Sequence, residues 1–232
     1  MKREARIVSG AGIRVAIGGD GSQLVQRIEA ALTSNIQGVI SIGIAGALAP
    51  QLKIGDCIVA SGVLGNGMQF SCDARWQSEL QRLLPDAREG VIAGVRGPAT
   101  TVQGKKALWM ASNAEAVDME SDLAAEVATR HALPFTALRV ISDTAADALP
   151  PATTSALDVD GGVNLFAVLA SVLKQPSQIP ALIRTGRNAN AAFAALLRCH
   201  NLLGIGLGCP YLGQFLFDMA GKHELRRPLV GE

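Results

Sequence analysis

The sequence has little charge, few cysteines and no long apolar run, and each shortage excludes a class of protein. Charged residues make up 18% of the 232 residues, the net charge is +1, and no basic run exceeds two residues. A surface that neutralises nucleic-acid phosphates is therefore not expected. The most apolar run, residues 163–173, contains Asn164 and Ser171 and is too short to span a bilayer.

Cysteine usage and the first residues predict a cytoplasmic protein. The four cysteines are far apart in the sequence and form no C-x-x-C motif. Free thiols are expected, and neither a zinc site nor another metal or organic cofactor is predicted. Four of the first six residues are charged and no apolar segment follows them, so a signal peptide is not expected.

Apolar segments that alternate with helix-like segments predict the fold class. Strands are expected at 13–17, 38–42, 56–60, 90–95, 116–117 and 136–141, and helices at 22–31, 76–84, 105–112 and 122–131. This alternation predicts an α/β fold, a single three-layer α/β/α domain with a mixed, mostly parallel sheet. Residues 1–232 are long enough for one such domain. Residues 150–232 are predicted to form a helical C-terminal extension on it, including helices at 162–173 and 180–203.

Two short segments place carboxylates at the ends of predicted strands. Residues 117–121 are Val-Asp-Met-Glu-Ser, and residues 139–143 are Arg-Val-Ile-Ser-Asp. A carboxylate there is costly to bury unless it is paired, hydrogen-bonded or protonated. Ligands bind at strand ends in open α/β sheets, so Glu120 and Asp143 suit one pocket. The alternative is that both are helix N-caps or salt-bridge partners.

These segments, together with a third block, resemble the nucleoside phosphorylase and nucleosidase superfamily. Residues 41–48 resemble its Gly-rich loop, and residues 52–59 resemble its L-x-x-G-D-x-V-V strand. The superfamily includes purine nucleoside phosphorylases and methylthioadenosine/S-adenosylhomocysteine nucleosidases. The resemblance implies a phosphorylase/hydrolase-like fold, cleavage of a nucleoside N-glycosidic bond, and a homodimer or higher homo-oligomer.

The resemblance also implies roles for the residues of the two segments. Asp143 matches the acid that protonates the leaving purine at N7, which needs a raised pKa or a strong hydrogen bond to the leaving group. Ser142 would position that carboxylate. Glu120 matches the glutamate that accepts hydrogen bonds from the ribose 2′- and 3′-hydroxyls. Met119 would be an apolar floor for the sugar, or ordinary core packing, and Asp118 is expected to be structural.

The attacking nucleophile is less clearly marked. Ser41 and Ile44 occupy the places where purine nucleoside phosphorylases carry a phosphate-binding Arg and Ser, so bidentate phosphate recognition is lost. Glu4 matches the glutamate that activates water in nucleosidases, and the alternative is an exposed N-terminal charge. Residues 18–22 either bind an anion through backbone N–H groups or form a simple turn. Hydrolysis is favoured, and phosphate as a co-substrate stays open.

Further substrate contacts are implied at the Gly-rich loop and at residues 97–102. The latter stretch lies where relatives bind the base, but it contains no aromatic residue. The superfamily also has a first β-strand before the segment that residues 1–4 resemble. Its absence here suggests that the start is assigned too late, or that the protein manages without it. The implied substrate-contacting residues are Ile44, Ala45, Gly46, Thr101 and Val102.

The pattern of the whole chain is most similar to the hopanoid-associated phosphorylases. The segments at 149–152 and 174–182 add to this resemblance. It implies removal of adenine from adenosylhopane. The predicted helix at 162–173 would then line an apolar entrance or make peripheral contact with a membrane, or it covers the sheet or a subunit interface. The alternatives are a methylthioadenosine/S-adenosylhomocysteine nucleosidase and a non-catalytic nucleoside-binding protein.

Overall fold

The computed structural model describes residues 2–18, 21–151 and 175–212. These residues form six strands and six α-helices. The helices are α1 (Lys2–Val8), α2 (Gly21–Ala31), α3 (Ala74–Leu83), α4 (Val102–Ser112), α5 (Ser121–Arg130) and α6 (Ile179–Leu203). The strands are β1 (Val39–Ala47), β2 (Cys57–Gly65), β3 (Met68–Ser71), β4 (Arg88–Gly94), β5 (Ala116–Asp118) and β6 (Phe135–Asp143).

The sheet is mixed, and most of its ladder is parallel, as the sequence predicts. Its strand order is β3-β2-β4-β5-β1-β6. The parallel pairings β1–β6 and β2–β4 are the longest, whereas β1–β5, β2–β3 and β2–β6 are shorter and antiparallel. Because β2 also pairs with β6, five strands close into a ring that brings the ends of β1, β5 and β6 together.

Helices cover both faces of the sheet, which confirms the predicted α/β fold. Phe135 and Ala137 of β6 pack with α2 and α5. Leu138 and Val140 of the same strand pack with α3 and α6. A strand that is buried on both faces is expected to be apolar at nearly every position, and this accounts for the uninterrupted apolar run before Arg139.

Two differences from the predicted elements have a physical explanation. The predicted strand at 13–17 is wrong: within the described residues no strand precedes Val39, because this segment forms no ladder with any other strand. The hairpin strand β3 was not predicted, although Asn66 and Gly67 before it both have positive φ angles, 52° and 72°, and Asn-Gly is a strong hairpin signal. The predicted helix at 162–173 lies outside the described residues.

None of the helices in the described part of the chain combines enough length with enough apolar residues to cross a membrane.

The turn that follows α6 is fastened to the start of α3. Trp76 is buried, and its Nε1 donates a hydrogen bond to the carbonyl oxygen of Leu207 at 3.0 Å. The hydroxyl of Tyr211 donates to the carboxylate of Asp73 at 2.8 Å, and Asp73 also caps α3 by accepting from the N–H of Trp76. These contacts hold the C-terminal end of α6 against the sheet.

Trp76→Phe should therefore destabilise the fold by more than the loss of buried ring area alone would cause. The buried carbonyl of Leu207 loses its donor, which costs about 1 kcal/mol. Urea unfolding should show this extra loss relative to Trp109→Phe, which removes the same ring at a half-buried position. Equal losses in the two variants would show that the hydrogen bond contributes nothing.

Candidate active site

Strand β1 brings the two carboxylate-bearing segments to one end of the sheet. Gly46 is opposite Val117 of β5 on one side and opposite Asp143 of β6 on the other. Since neighbouring strands are spaced by about 4.8 Å, the two strand ends lie roughly 10 Å apart. Glu120 follows the end of β5 by two residues. The structure thus places Glu120 and Asp143 on either side of the same strand.

A register shift in β6 sets the position of Asp143. Ala45 is opposite Ile141, but Gly46 is opposite Asp143, so Ser142 is an extra residue that re-aims the strand end. The hydroxyl of Ser142 lies 3.0 Å from Oδ1 of Asp143 and 3.2 Å from the carbonyl oxygen of Ala45. A β-carbon on Gly46 would lie 2.9 Å from Oδ2 of Asp143. Glycine at 46 therefore makes room for this carboxylate.

Asp143 is paired with a lysine that the sequence analysis did not identify. Lys105 of α4 is fully buried, and its Nζ donates to Oδ2 of Asp143. The same ammonium donates to the carbonyl oxygens of Thr144 at 2.8 Å and Asp147 at 3.0 Å. The sequence offers no way to tell which member of the Lys105-Lys106 pair is buried. The answer depends on where α4 begins, and Thr101 sets that point by accepting from the N–H of Gly104.

Asp118 and Arg139 form a second buried ion pair. Arg139 is 2% exposed, and its Nε donates to Oδ2 of Asp118 at 2.5 Å. Its Nη2 donates to the hydroxyls of Ser41 at 2.6 Å and Ser121 at 2.9 Å. The other oxygen of Asp118 accepts from the N–H groups of Glu120 and Ser121. Asp118 thus caps the start of α5, in agreement with the structural role expected for it.

The side chain of Glu120 itself makes no capping hydrogen bond, although Glu120 is the N-cap residue of α5. Its Oε1 would lie 2.1 Å from a β-carbon on Gly18, so it occupies space that only glycine leaves open. Burial raises the pKa of Glu120 above its usual value, and the nearby carboxylates of Glu4 and Asp118 add to this effect against the opposing charge of Arg139. The carboxylate of Glu120 is therefore poorly solvated. This is the environment expected of a group that accepts hydrogen bonds from a ligand.

Glu4 lies inside the fold, close to the same strand. It is 9% exposed, and its Oε1 accepts a hydrogen bond from the N–H of Ile44 at 2.9 Å. A β-carbon on Gly43 would lie 2.5 Å from this oxygen and 3.8 Å from Nη1 of Arg139. The alternative that Glu4 is an exposed N-terminal charge is therefore wrong. Glu4, Arg139 and the backbone of Gly43 converge on one point.

A cavity of about 210 Å³ opens beside Glu4, Glu120 and Ser41. Apart from these polar groups its lining is mostly apolar and includes side chains from α1, α2, β1 and α3. Asp143 does not line this cavity, because it lies farther along β1 beside Gly46. The cavity therefore contains Glu120 without Asp143, whereas the sequence predicts one pocket for both. The apolar lining includes Val8, Leu24, Ile28, Leu32, Ile36, Val39, Ile42 and Trp76.

The other residues that the sequence predicts to contact the substrate are Met119, Thr101, Val102 and the loop at 18–22. The side chain of Met119 is 37% exposed at the end of β5. Thr101 is exposed and Val102 is the first residue of α4, so both lie about one helical turn before Lys105. The predicted anion loop at 18–22 includes two residues outside the described part of the chain, and α2 begins directly after them at Gly21.

Removal of Arg139 should be costly because Asp118 would remain buried without its partner. We expect Arg139→Met to lower the free energy of unfolding by about 3–5 kcal/mol, measured by urea unfolding. The double variant Arg139→Met/Asp118→Asn, which removes both charges, should recover part of this loss. A double variant that is less stable than Arg139→Met would contradict the pairing.

Comparisons with known proteins agree with this architecture. The model of the phosphorylase superfamily matches residues 4–174. No curated protein matches significantly. Among solved structures, a 5′-methylthioadenosine/S-adenosylhomocysteine nucleosidase of Helicobacter pylori is 16% identical over 87% of this chain and 94% of that chain, with a TM-score of 0.58.

Two further structures are similar. A putative methylthioadenosine nucleosidase of Weissella paramesenteroides is 20% identical over 78% of each chain, with a TM-score of 0.51. The futalosine hydrolase of Helicobacter pylori is 18% identical over 78% of this chain and 75% of that chain, with a TM-score of 0.50. At these identities the likeness shows the fold alone. The family match spans well over half of the chain, and the protein belongs to the phosphorylase superfamily.

Proposed function

We propose that the protein cleaves the N-glycosidic bond of an adenosine-type nucleoside and releases adenine, with water as the nucleophile. The observation that carries this proposal is the gathering of three carboxylates beside strand β1. Glu4 comes from α1, Glu120 follows β5, and Asp143 ends β6. Gly43 and Gly46 make room for Glu4 and Asp143. Membership of a superfamily that cleaves such bonds supports the proposal.

In this proposal Asp143 hydrogen-bonds N7 of the leaving purine and supplies its proton. Asp143 would act through a strong hydrogen bond to N7 that transfers its proton as the glycosidic bond breaks. Ser142 supports the geometry, since its hydroxyl lies 3.0 Å from Oδ1 of Asp143.

Glu120 would accept hydrogen bonds from the sugar hydroxyls. A carboxylate accepts two donors at once, and its charge favours the positive charge that develops on the sugar in the transition state. The poor solvation of Glu120 supports this role. Burial raises its pKa. Hydroxyl donors from a ligand would supply the hydrogen bonds that this carboxylate no longer receives from water in the folded protein.

Two features support water in place of phosphate as the nucleophile. Glu4 and Glu120 both line the cavity beside β1, and a carboxylate there can accept a proton from water. The nearby guanidinium of Arg139 already binds Asp118, so its charge is balanced within the protein. Glu4 would act as the general base that accepts a proton from the attacking water.

The 5′ substituent of the nucleoside is the finer part of the proposal. The cavity that adjoins Glu4 and Glu120 is lined mainly by apolar side chains. This lining favours a nucleoside with an apolar 5′ substituent, and adenosylhopane is the substrate that the hopanoid-associated resemblance implies. The second candidate, methylthioadenosine, also has an apolar 5′ group, but a much smaller one.

The direct test is adenine release from methylthioadenosine and from adenosines with longer apolar 5′ substituents, with and without phosphate. We expect release without phosphate, and a higher kcat/KM for the longer substituents. Asp143→Asn and Glu4→Gln should each lower kcat by roughly 10²–10⁴-fold because a proton transfer is lost. The exposed Asp86→Asn is the matched control and should retain full activity.

Each part of the proposal has its own contradicting outcome. A strict phosphate requirement would overturn the role of Glu4. Faster turnover of methylthioadenosine than of any longer substrate would favour the second candidate. Failure of the folded protein to release adenine from every nucleoside, with binding retained, would identify a nucleoside-binding protein instead of an enzyme.

We expect Glu120→Gln to raise stability at neutral pH and to lower activity. Because burial raises the pKa of Glu120 in the folded state, its carboxylate form costs stability at neutral pH. The neutral variant should therefore have a higher Tm than wild type at pH 7.5. This gain should shrink as the pH falls through the raised pKa towards the unfolded value of about 4.3.

The same variant should lose kcat/KM for nucleosides, because the amide neither carries the charge nor accepts two hydroxyl donors at one group. Glu89→Gln, at an exposed position in β4, is the control and should change neither Tm nor kcat/KM. A Glu120→Gln variant whose Tm falls at pH 7.5 would contradict the assigned environment of this carboxylate.

A further inference from the structure

Lys105 has no part in the function proposed so far, yet it is the buried cation in contact with Asp143. Its side chain is fully buried. Its three N–H bonds match three acceptors: Oδ2 of Asp143 and the carbonyl oxygens of Thr144 and Asp147. Burying an ammonium costs several kcal/mol that its partners must offset, and an apolar side chain of similar length would fill the space at lower cost.

The surroundings of Lys105 hold its ammonium in one place. The carbonyl acceptors belong to the loop directly after β6, and this loop is closed by Asp147. Oδ2 of Asp147 accepts from the N–H of Thr144 at 2.9 Å and from its hydroxyl at 2.7 Å. The ammonium is therefore fixed by backbone atoms as well as by Asp143, and it can hold Oδ2 of Asp143 in a constant orientation.

We propose that Lys105 positions Asp143 and stabilises the carboxylate that remains after Asp143 has given its proton to the leaving purine. This inference rests on the proposed function. In the step, the O–H bond of Asp143 breaks, the proton moves to N7, and the electron pair stays on the carboxylate. The electrons of the glycosidic bond move to the purine, and no further reactant is needed.

Lys105 acts on this step through the charge that appears on Asp143. Its N–H···Oδ2 hydrogen bond becomes a bond between two ions, which is stronger than the bond from the same ammonium to a neutral carboxyl group. The site is shielded from water, so the interaction is not weakened by solvent. A fixed donor that meets developing charge in this way is worth about 10²-fold in kcat.

The test compares Lys105→Met with Lys106→Met, the same change at the exposed neighbouring lysine. Each variant is assayed on a 5′-substituted adenosine and on 4-nitrophenyl riboside, whose leaving group departs without a proton. We expect Lys105→Met to lower kcat about 10²-fold on the adenosine and to leave the rate on the nitrophenyl substrate nearly unchanged. Lys106→Met should match wild type on both substrates. Equal losses on both substrates, or no loss on either, would overturn the inference.

A double-mutant cycle with Asp143 gives a second, independent readout. In the Asp143→Asn background, Lys105→Met should cause little further loss of kcat on the adenosine, because the charge on which Lys105 acts is already gone. Additive losses would contradict the inference. If Lys105→Met does not fold, Lys105→Gln, which keeps an N–H donor without the charge, is assayed by the same criteria.

The outcomes distinguish this inference from the function on which it rests. Wild-type protein that releases no adenine contradicts the proposed function, whatever the variants do. Wild-type protein that releases adenine, together with an unchanged Lys105→Met variant, contradicts only the role of Lys105.

Discussion

The buried pair of Arg139 and Asp118 is the interaction on which the site depends. Arg139 stands opposite Gly43 in the register of β1 and β6, and it reaches across to Asp118 at the end of β5. Asp118 in turn accepts from the N–H groups that begin α5. This single contact therefore fixes the relative position of two strand ends and the first turn of a helix. Glu120, which lies within that turn, is placed as a consequence.

Three glycines also shape the site, because the space that a β-carbon would occupy is filled by a carboxylate. The carboxylates of Glu120, Glu4 and Asp143 lie where β-carbons on Gly18, Gly43 and Gly46, respectively, would come within 3 Å of them. Gly43 and Gly46 belong to β1, whereas Gly18 precedes α2, and the buried cations Arg139 and Lys105 are each paired with an aspartate. Glu4 and Glu120 face the cavity together with Arg14, and the carboxylates favour a substrate that becomes positively charged as it reacts.

Part of this arrangement is predictable from the sequence, and the rest depends on tertiary contacts. The apolar run before Asp143 predicts β6 because a strand buried on both faces needs no polar alternation, and carboxylates at strand ends indicate a pocket. Lys105 cannot be distinguished from Lys106 by sequence, since only the start of α4 decides which is buried. Residues 13–17 have the composition of a strand but find no strand partner, and composition alone cannot supply one.

The most direct measurement is a structure of the protein with a non-hydrolysable adenosine analogue bound. The account predicts that the sugar hydroxyls lie within hydrogen-bond distance of Glu120 and that N7 of the base lies about 2.6–3.2 Å from a carboxylate oxygen of Asp143. An analogue bound with N7 directed away from Asp143, or with its sugar remote from Glu120, would contradict the account.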